Sequence, residues 1–114
     1  MIDFACKRFE LREVIKCGLG LTKSDFLIMD FLIKNKKTYG SNEIAEKLGL
    51  DLSTIQRSLK NLNEKRIVIR GQNNLSGGGY VYRYRINDKI VIRNMMMEII
   101  KEWVKKVEYE LEKW

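Results

Sequence analysis

The sequence has 114 residues, with 22 Lys and Arg, 15 Asp and Glu and no histidine, which gives a formal net charge of +7. A hydrophobic fraction of 45% is enough for a folded core, so a disordered polyelectrolyte is excluded, and the length suits one domain with an appended helix. Without histidine, Ser-His-Asp and Cys-His catalytic sites and histidine-ligated metals are excluded. A carboxylate or lysine enzyme stays open on composition alone, but the positive charge favours a polyanion as partner.

The sequence predicts an intracellular, reduced protein of the cytoplasm. No run of about 18 apolar residues is present, so we expect no membrane span, and the charged N-terminus is unlike a signal peptide. Cys6 and Cys17 are expected on one helix, roughly 16 Å apart along its axis and too far apart for a disulfide. Two such cysteines also cannot build a zinc knuckle, so we expect no metal, no cofactor and no catalytic residues.

An N-terminal helix is predicted over residues 3–17, because apolar side chains that include Phe4 and Phe9 spread along one broad stripe. Gly18 is expected to end it. This helix is expected to support the core and to contribute Phe4 and Phe9 to a dimer interface.

A second helix is predicted from Ser24 to Asn35, with Thr22 as its N-cap and Asp25 completing a capping box. Seven of its residues are apolar and they lie nearly all round the helix. That distribution is typical of a helix buried at the centre of a domain.

A helix-turn-helix is predicted next along the chain. Ser41 is expected to cap a short helix over residues 42–48, which Gly49 ends, and Asp51 is expected to cap a helix from Leu52 to about Lys65. Two helices joined by so tight a glycine-containing turn are typical of that motif.

The second helix of this motif has a polar face suited to a DNA major groove. Ile55, Leu59 and Leu62 recur at helical spacing and predict its buried side. Arg and Lys donate to guanine, Asn and Gln pair with adenine, and hydroxyls bond phosphate or base. The candidate DNA contacts on the two helices are Ser41, Ser53, Thr54, Gln56, Arg57, Lys60 and Asn61. Residues 51–88 hold seven basic and three acidic side chains, which favours nucleic acid over an ordinary solvated face.

A β-hairpin is predicted from the strands Ile67–Arg70 and Tyr80–Ile86, joined by a glycine-rich loop over residues 72–79. In the second strand, three tyrosines alternate with Val81 and two arginines. Because the tyrosines share a face with Ile86, we expect them in the core rather than as a stacking platform for bases. The candidate DNA contacts of the hairpin are Arg70, Asn73, Asn74, Arg83 and Arg85.

The order of these elements predicts a winged helix of the α+β class, mostly α. The segments SNEIAEKLGLDLSTIQRSLKNLNEKRIVIR (Ser41–Arg70) and YVYRYRI (Tyr80–Ile86) resemble archaeal winged-helix transcriptional regulators of the MarR and TrmB-like type. The resemblance implies Asp51–Lys65 as recognition helix, Asn73–Gly79 as wing tip and a role as transcription factor. Where several such proteins carry Arg or Lys at the wing, this chain holds Gly77–Gly79.

A long C-terminal helix of roughly 40 Å is predicted from about residue 88, because no Gly or Pro interrupts it. Its apolar seam is expected to pack both on the N-terminal helix of its own chain and on a second copy in a two-fold homodimer, which would match palindromic half-sites. The seam residues expected in the dimer are Met96, Ile100, Trp103, Val107 and Leu111. The Met95–Met97 run leaves a small-molecule effector or another partner open.

Three segments are therefore expected: an N-terminal helix (1–19), a winged-helix DNA-binding domain (20–87) and a C-terminal dimerisation helix (88–114). The hypothesis is a homodimeric regulator that binds specific double-stranded DNA, with the recognition helix in the major groove and the wing on the backbone or minor groove. Two alternatives remain: a winged-helix module for protein–protein contacts in transcription or chromosome machinery, and a small RNA-binding protein.

Overall fold

The computed structural model describes residues 1–114, which divide into two compact units, 1–21 with 89–114 and 22–88. Five helices and four strands make up the chain. They are β1 (Ile2–Phe4), β2 (Lys7–Phe9), α1 (Leu11–Gly18), α2 (Lys23–Lys34), α3 (Ser41–Leu48), α4 (Leu52–Glu64), β3 (Val68–Asn74), β4 (Tyr80–Ile86) and α5 (Lys89–Lys113).

The unit of residues 22–88 is a winged helix, in which α2, α3 and α4 are followed by the β3–β4 hairpin. Helix α4 packs against α2 and α3 through one face. The side chains that are at most 1% exposed in this core are Ile28, Leu32, Ile44, Ile55, Leu59, Leu62, Ile67 and Val68. The predicted fold, mostly helical α+β with a long C-terminal helix, is confirmed.

Helix α2 begins at the predicted capping box. The Asp25 N–H donates to Thr22 Oγ1 and the Thr22 N–H donates to Asp25 Oδ2, each over 3.1 Å. Its burial is one-sided, however, since Leu27 and Ile33 are 36% and 43% exposed. The expectation of a helix buried all round is wrong, because the buried positions recur at helical spacing on a single face.

The turn between α3 and α4 is built on a left-handed glycine. Gly49, at φ 65°, follows the last residue of α3, as predicted. The start of α3 lies one residue earlier than predicted, because Gly40 is the N-cap and its N–H donates to the Glu43 carboxylate over 3.0 Å. Asp51 stands at the N-cap of α4, but its side chain makes no capping hydrogen bond.

The β3–β4 hairpin is longer than predicted on its first strand. Strand β4 is confirmed at Tyr80–Ile86, and β3 pairs with it from Val68 to Asn74, which leaves only residues 75–79 for the turn. Tyr39 and Tyr84 exchange backbone hydrogen bonds of 2.9 and 2.8 Å, so the segment before α3 forms an isolated bridge to β4.

The N-terminal segment departs from the prediction. Residues 2–9 form an antiparallel hairpin, with Ile2 opposite Phe9, and only Leu11–Gly18 is helical. The predicted helix over 3–17 is wrong because apolar and charged residues alternate with period two at Ile2–Phe4, and a turn follows at residues 5 and 6. Cys6 lies in that turn rather than on a helix with Cys17, and both thiols are free and exposed.

Helix α5 spans 25 residues, or about 37 Å, and packs on α1. The close approach is at Gly18, where an added Cβ would lie 2.8 Å from Met96 Cε, so the glycine makes room for the methionine. Met96 is the buried residue of α5. None of the five helices has the length and apolar character needed to cross a membrane.

Replacing Gly49 with Ala should lower the free energy of unfolding by about 1 kcal/mol, because an L side chain is disfavoured at positive φ. No atom lies within 4 Å of the added Cβ, so the cost comes from the backbone alone. Urea denaturation measures it. Gly77→Ala is the matched control, since its Cβ also meets open space without a positive φ, and an equal loss in both variants would contradict the explanation.

Candidate nucleic-acid interface

The outward face of α4 carries the exposed side chains Ser53, Gln56, Arg57 and Lys60. They face away from the core because the helix turns about 100° per residue and Ile55 and Leu59 on the other side are fully buried. No ion pair within the chain involves Arg57 or Lys60. This face therefore presents two uncompensated positive charges beside an amide and a hydroxyl.

Three further predicted contacts are half-buried. Thr54 and Asn61 flank the outward face of α4, and Ser41 lies in the first turn of α3. Their polar groups border the exposed face rather than form it.

The wing, defined as β3, β4 and the turn between them, presents the other predicted contacts on two faces. Register places Arg70 opposite Tyr84 and Asn74 opposite Tyr80, so these residues share a face. Asn73 lies on the other face, opposite Val81. Arg70, Asn73, Asn74 and Arg85 are all exposed.

Arg83 is engaged within the chain, at the root of the wing. Its Nη2 donates to the Thr38 carbonyl oxygen over 2.8 Å, its Nε donates to Thr38 Oγ1 over 3.3 Å, and its Nη1 lies 2.9 Å from Glu43 Oε1. These bonds tie β4 to the start of α3. Sequence reasoning missed this cluster, because no local pattern links residues 40 positions apart.

Glu43 has a carboxylate that the structure holds in its charged form. The Gly40 N–H donates to it and the Arg83 guanidinium lies beside it, and together they keep the pKa of Glu43 below its ordinary value.

The tyrosines of β4 are not core residues. Tyr80 is 53% exposed, and Tyr82 and Tyr84 are half-buried, so the expectation that they lie in the core is wrong. The reason is the length of the hairpin: Val68 and Ile86 form its inner pair, and each following pair stands further from the helices.

The wing tip is a tight turn without a charged side chain. Gly78 and Gly79 have φ of 95° and 79°, and the Leu75 N–H donates to the Gly79 carbonyl oxygen over 3.0 Å. Glycines are needed at both positions because L side chains rarely adopt such angles.

The residues predicted for a dimer interface are largely uncovered in this chain. On α5, Trp103, Leu111 and Ile100 are 58%, 57% and 38% exposed, and Val107 is half-buried. In the N-terminal hairpin, Phe4 is 65% exposed on β1, and Phe9 is half-buried on β2 with Lys7 Nζ 5.3 Å from its ring centroid.

Replacing Glu43 with Gln should make the fold less sensitive to acid. A carboxyl whose pKa is lowered by folding adds stability above its unfolded pKa, and this stability is lost as the pH falls below about 4.5 through the folded value. The measurement is the unfolding free energy in urea at neutral pH and at about pH 3. Glu43→Gln should be less stable than wild type at neutral pH and lose less on acidification, whereas the control Glu46→Gln on the same helix should keep the wild-type pH dependence.

Several known proteins are similar to this chain in sequence or in fold. Residues 9–107 match the family model of the DnaD N-terminal domain. An uncharacterized protein of Methanocaldococcus jannaschii is 32% identical over 96% of this chain and 88% of its own length. A solved structure titled a possible transcriptional regulator from Methanosarcina mazei has a TM-score of 0.93 at 45% identity, over 100% of this chain and 96% of that one. A MepR mutant of S. aureus bound to an oligodeoxyribonucleotide shares the fold, with a TM-score of 0.59 at 17% identity over 90% of this chain and 78% of that one. The chain therefore belongs to the family of the DnaD N-terminal domain.

Proposed function

We propose that this chain is a transcriptional regulator that binds specific double-stranded DNA as a homodimer. The observation that carries the proposal is the outward face of α4, where Arg57 and Lys60 stand exposed with no acidic partner on the second helix of a helix-turn-helix. The similarity to the M. mazei structure, itself titled a possible transcriptional regulator, supports the role in transcriptional regulation.

In this proposal α4 enters the major groove. Its 13 residues extend about 20 Å, and the side chains of its polar face, from Ser53 to Asn61, reach base edges. Arg57 and Lys60 donate to guanine, Gln56 and Asn61 pair with adenine, and the hydroxyls of the two helices bond phosphate. No catalytic step and no cofactor is part of this mechanism.

The wing contacts the backbone or the minor groove. Asn73 and Arg85, on the face of the wing away from the tyrosines, are exposed and contact phosphates, which positions the protein without reading sequence. Arg83 contributes differently from the others, because its bonds to Thr38 and Glu43 hold the wing root in place.

The homodimer forms through the apolar face of α5. Ile100, Trp103, Val107 and Leu111 recur on one side of the helix and leave a contiguous apolar surface on a single chain. Surfaces of this kind larger than several hundred Å2 usually mark an interaction site. A second copy, related by a two-fold axis, covers it and sets two α4 helices for two half-sites.

The finer assignment is a cytoplasmic regulator of the MarR or TrmB-like type from an archaeon. Related proteins from two archaea, M. jannaschii and M. mazei, support the origin. A small-molecule effector beside the Met95–Met97 run fits the same scheme, at Met97, which is 41% exposed, rather than at the buried Met96.

Arg57→Ala and Lys60→Ala should each weaken duplex binding while leaving the fold intact, because both side chains point away from the core. A lost base contact costs about 1–3 kcal/mol and relaxes the preference at one position. Selection from random duplex DNA gives the site, and fluorescence anisotropy across a salt series gives the affinity. Lys105→Ala on α5 removes an equal charge elsewhere and should have little effect. If all three variants bind like wild type, α4 does not face DNA.

Trp103→Ala should shift the protein toward monomer and weaken binding to a two-half-site operator far more than to one half-site. Sedimentation measures the mass, which should be near twice the chain mass of 13.5 kDa in wild type. Tyr109→Ala is a matched control, since Tyr109 is 57% exposed, like Trp103 at 58%, but lies about 120° from Trp103 around α5. A wild-type mass near 13.5 kDa would contradict the dimer.

A further inference from the structure

One face of the wing carries aromatic rings that are not buried in the core. Antiparallel register puts Tyr80 with Asn74, Tyr82 with Gln72, and Arg70 beside them on this side of the hairpin. We call these five residues the tyrosine face. Tyr80 is 53% exposed, and Arg70, Gln72 and Asn74 are exposed as well.

Three planar groups of the tyrosine face, from Arg70, Tyr82 and Tyr80, lie close together in a row. The Arg70 guanidinium carbon lies 4.1 Å from the Tyr82 ring centroid. The Tyr80 and Tyr82 centroids are 5.2 Å apart, with their rings tilted by 58°. Tyr84 lies opposite Arg70 at the inner end of this row, whereas Tyr80 is at its outer end, where its 53% exposed ring is open to a partner.

The charge on this face suits a nucleic acid. Arg70 is its positive charge, and β3 and β4 contain no acidic residue. The exposed amides of Gln72 and Asn74 offer both donors and acceptors to base edges.

We propose that the tyrosine face binds unpaired bases of single-stranded DNA, with Tyr80 as the stacking group. In a duplex, base faces are covered by their neighbours and only edges line the grooves, whereas a single strand presents its base faces to aromatic and guanidinium planes. The choice of DNA rests on the proposed function, in which α4 of the same chain holds an adjacent duplex. The protein then contacts a duplex and an opened strand through different surfaces.

Anisotropy with fluorescein-labelled oligo(dT) of about 12 nucleotides tests this on the full chain. Wild type should bind, and Tyr80→Ala should weaken binding about 5- to 100-fold through the loss of one stacked base. Tyr80→Phe keeps the ring and should bind like wild type. Val81→Ala, on the opposite face and 41% exposed, is the matched control and should also bind like wild type.

Duplex binding through α4 and single-strand binding through the tyrosine face can be contradicted independently of each other. Arg57→Ala should weaken duplex binding and leave oligo(dT) binding unchanged, and Tyr80→Ala should do the reverse. Wild type that binds duplex but not oligo(dT) would overturn the tyrosine face and leave the regulator standing. An equal loss of duplex and oligo(dT) binding in Tyr80→Ala, or tighter binding of oligo(rU) than of oligo(dT), would also overturn it.

Photo-crosslinking locates the contact directly. Trypsin cleaves after Arg70 and Arg83, so a single peptide, residues 71–83, holds both Tyr80 and Tyr82. An oligonucleotide with 5-bromodeoxyuridine in place of thymidine should crosslink to that peptide. Crosslinks confined to α4 peptides would count against the tyrosine face.

Discussion

The burial of one side of α4 fixes the rotation of this helix and therefore the direction in which its polar side chains point. Ile55, Leu59 and Leu62 have no exposed surface, and they lock the rotation of the helix against α2 and α3. Turning α4 by one residue would carry a polar side chain toward the core, which is costly without a partner. The outward direction of Arg57 and Lys60 is therefore a consequence of core packing, and needs no other device to hold it.

The wing depends on the same helices but only at its root. Val68 is buried, Tyr84 bonds to Tyr39, and Arg83 joins Thr38 to Glu43, so the base of the hairpin is part of the helical body. Beyond these contacts the strands continue on cross-strand pairing alone. The same alternating pattern therefore gives a core contact at the Val68–Ile86 end of the hairpin and an exposed aromatic side chain at the Tyr80 end.

Local signals in the sequence were sufficient for much of the fold. The Thr22–Asp25 box, the glycine after α3, the four- and three-residue spacing of the α4 core and the alternation of Tyr80–Ile86 each reflect an interaction among near neighbours. Three features lay beyond such signals. In a segment as short as residues 2–9, the same apolar positions fit both a helical and a strand period, so the N-terminal hairpin was not predicted. Alternation tells which face the tyrosines share, but not how far they stand from the core. The Arg83–Glu43 pair joins distant positions.

The difference between the root and the tip of the wing also has a kinetic meaning. Amides of Tyr39 and Tyr84 can exchange with solvent only when their shared bridge opens, whereas the turn at Leu75–Gly79 is held by bonds within itself. Motions of such a tip fall in the nanosecond to microsecond range. A fixed root means that the base of the wing loses little conformational entropy when a partner binds to it.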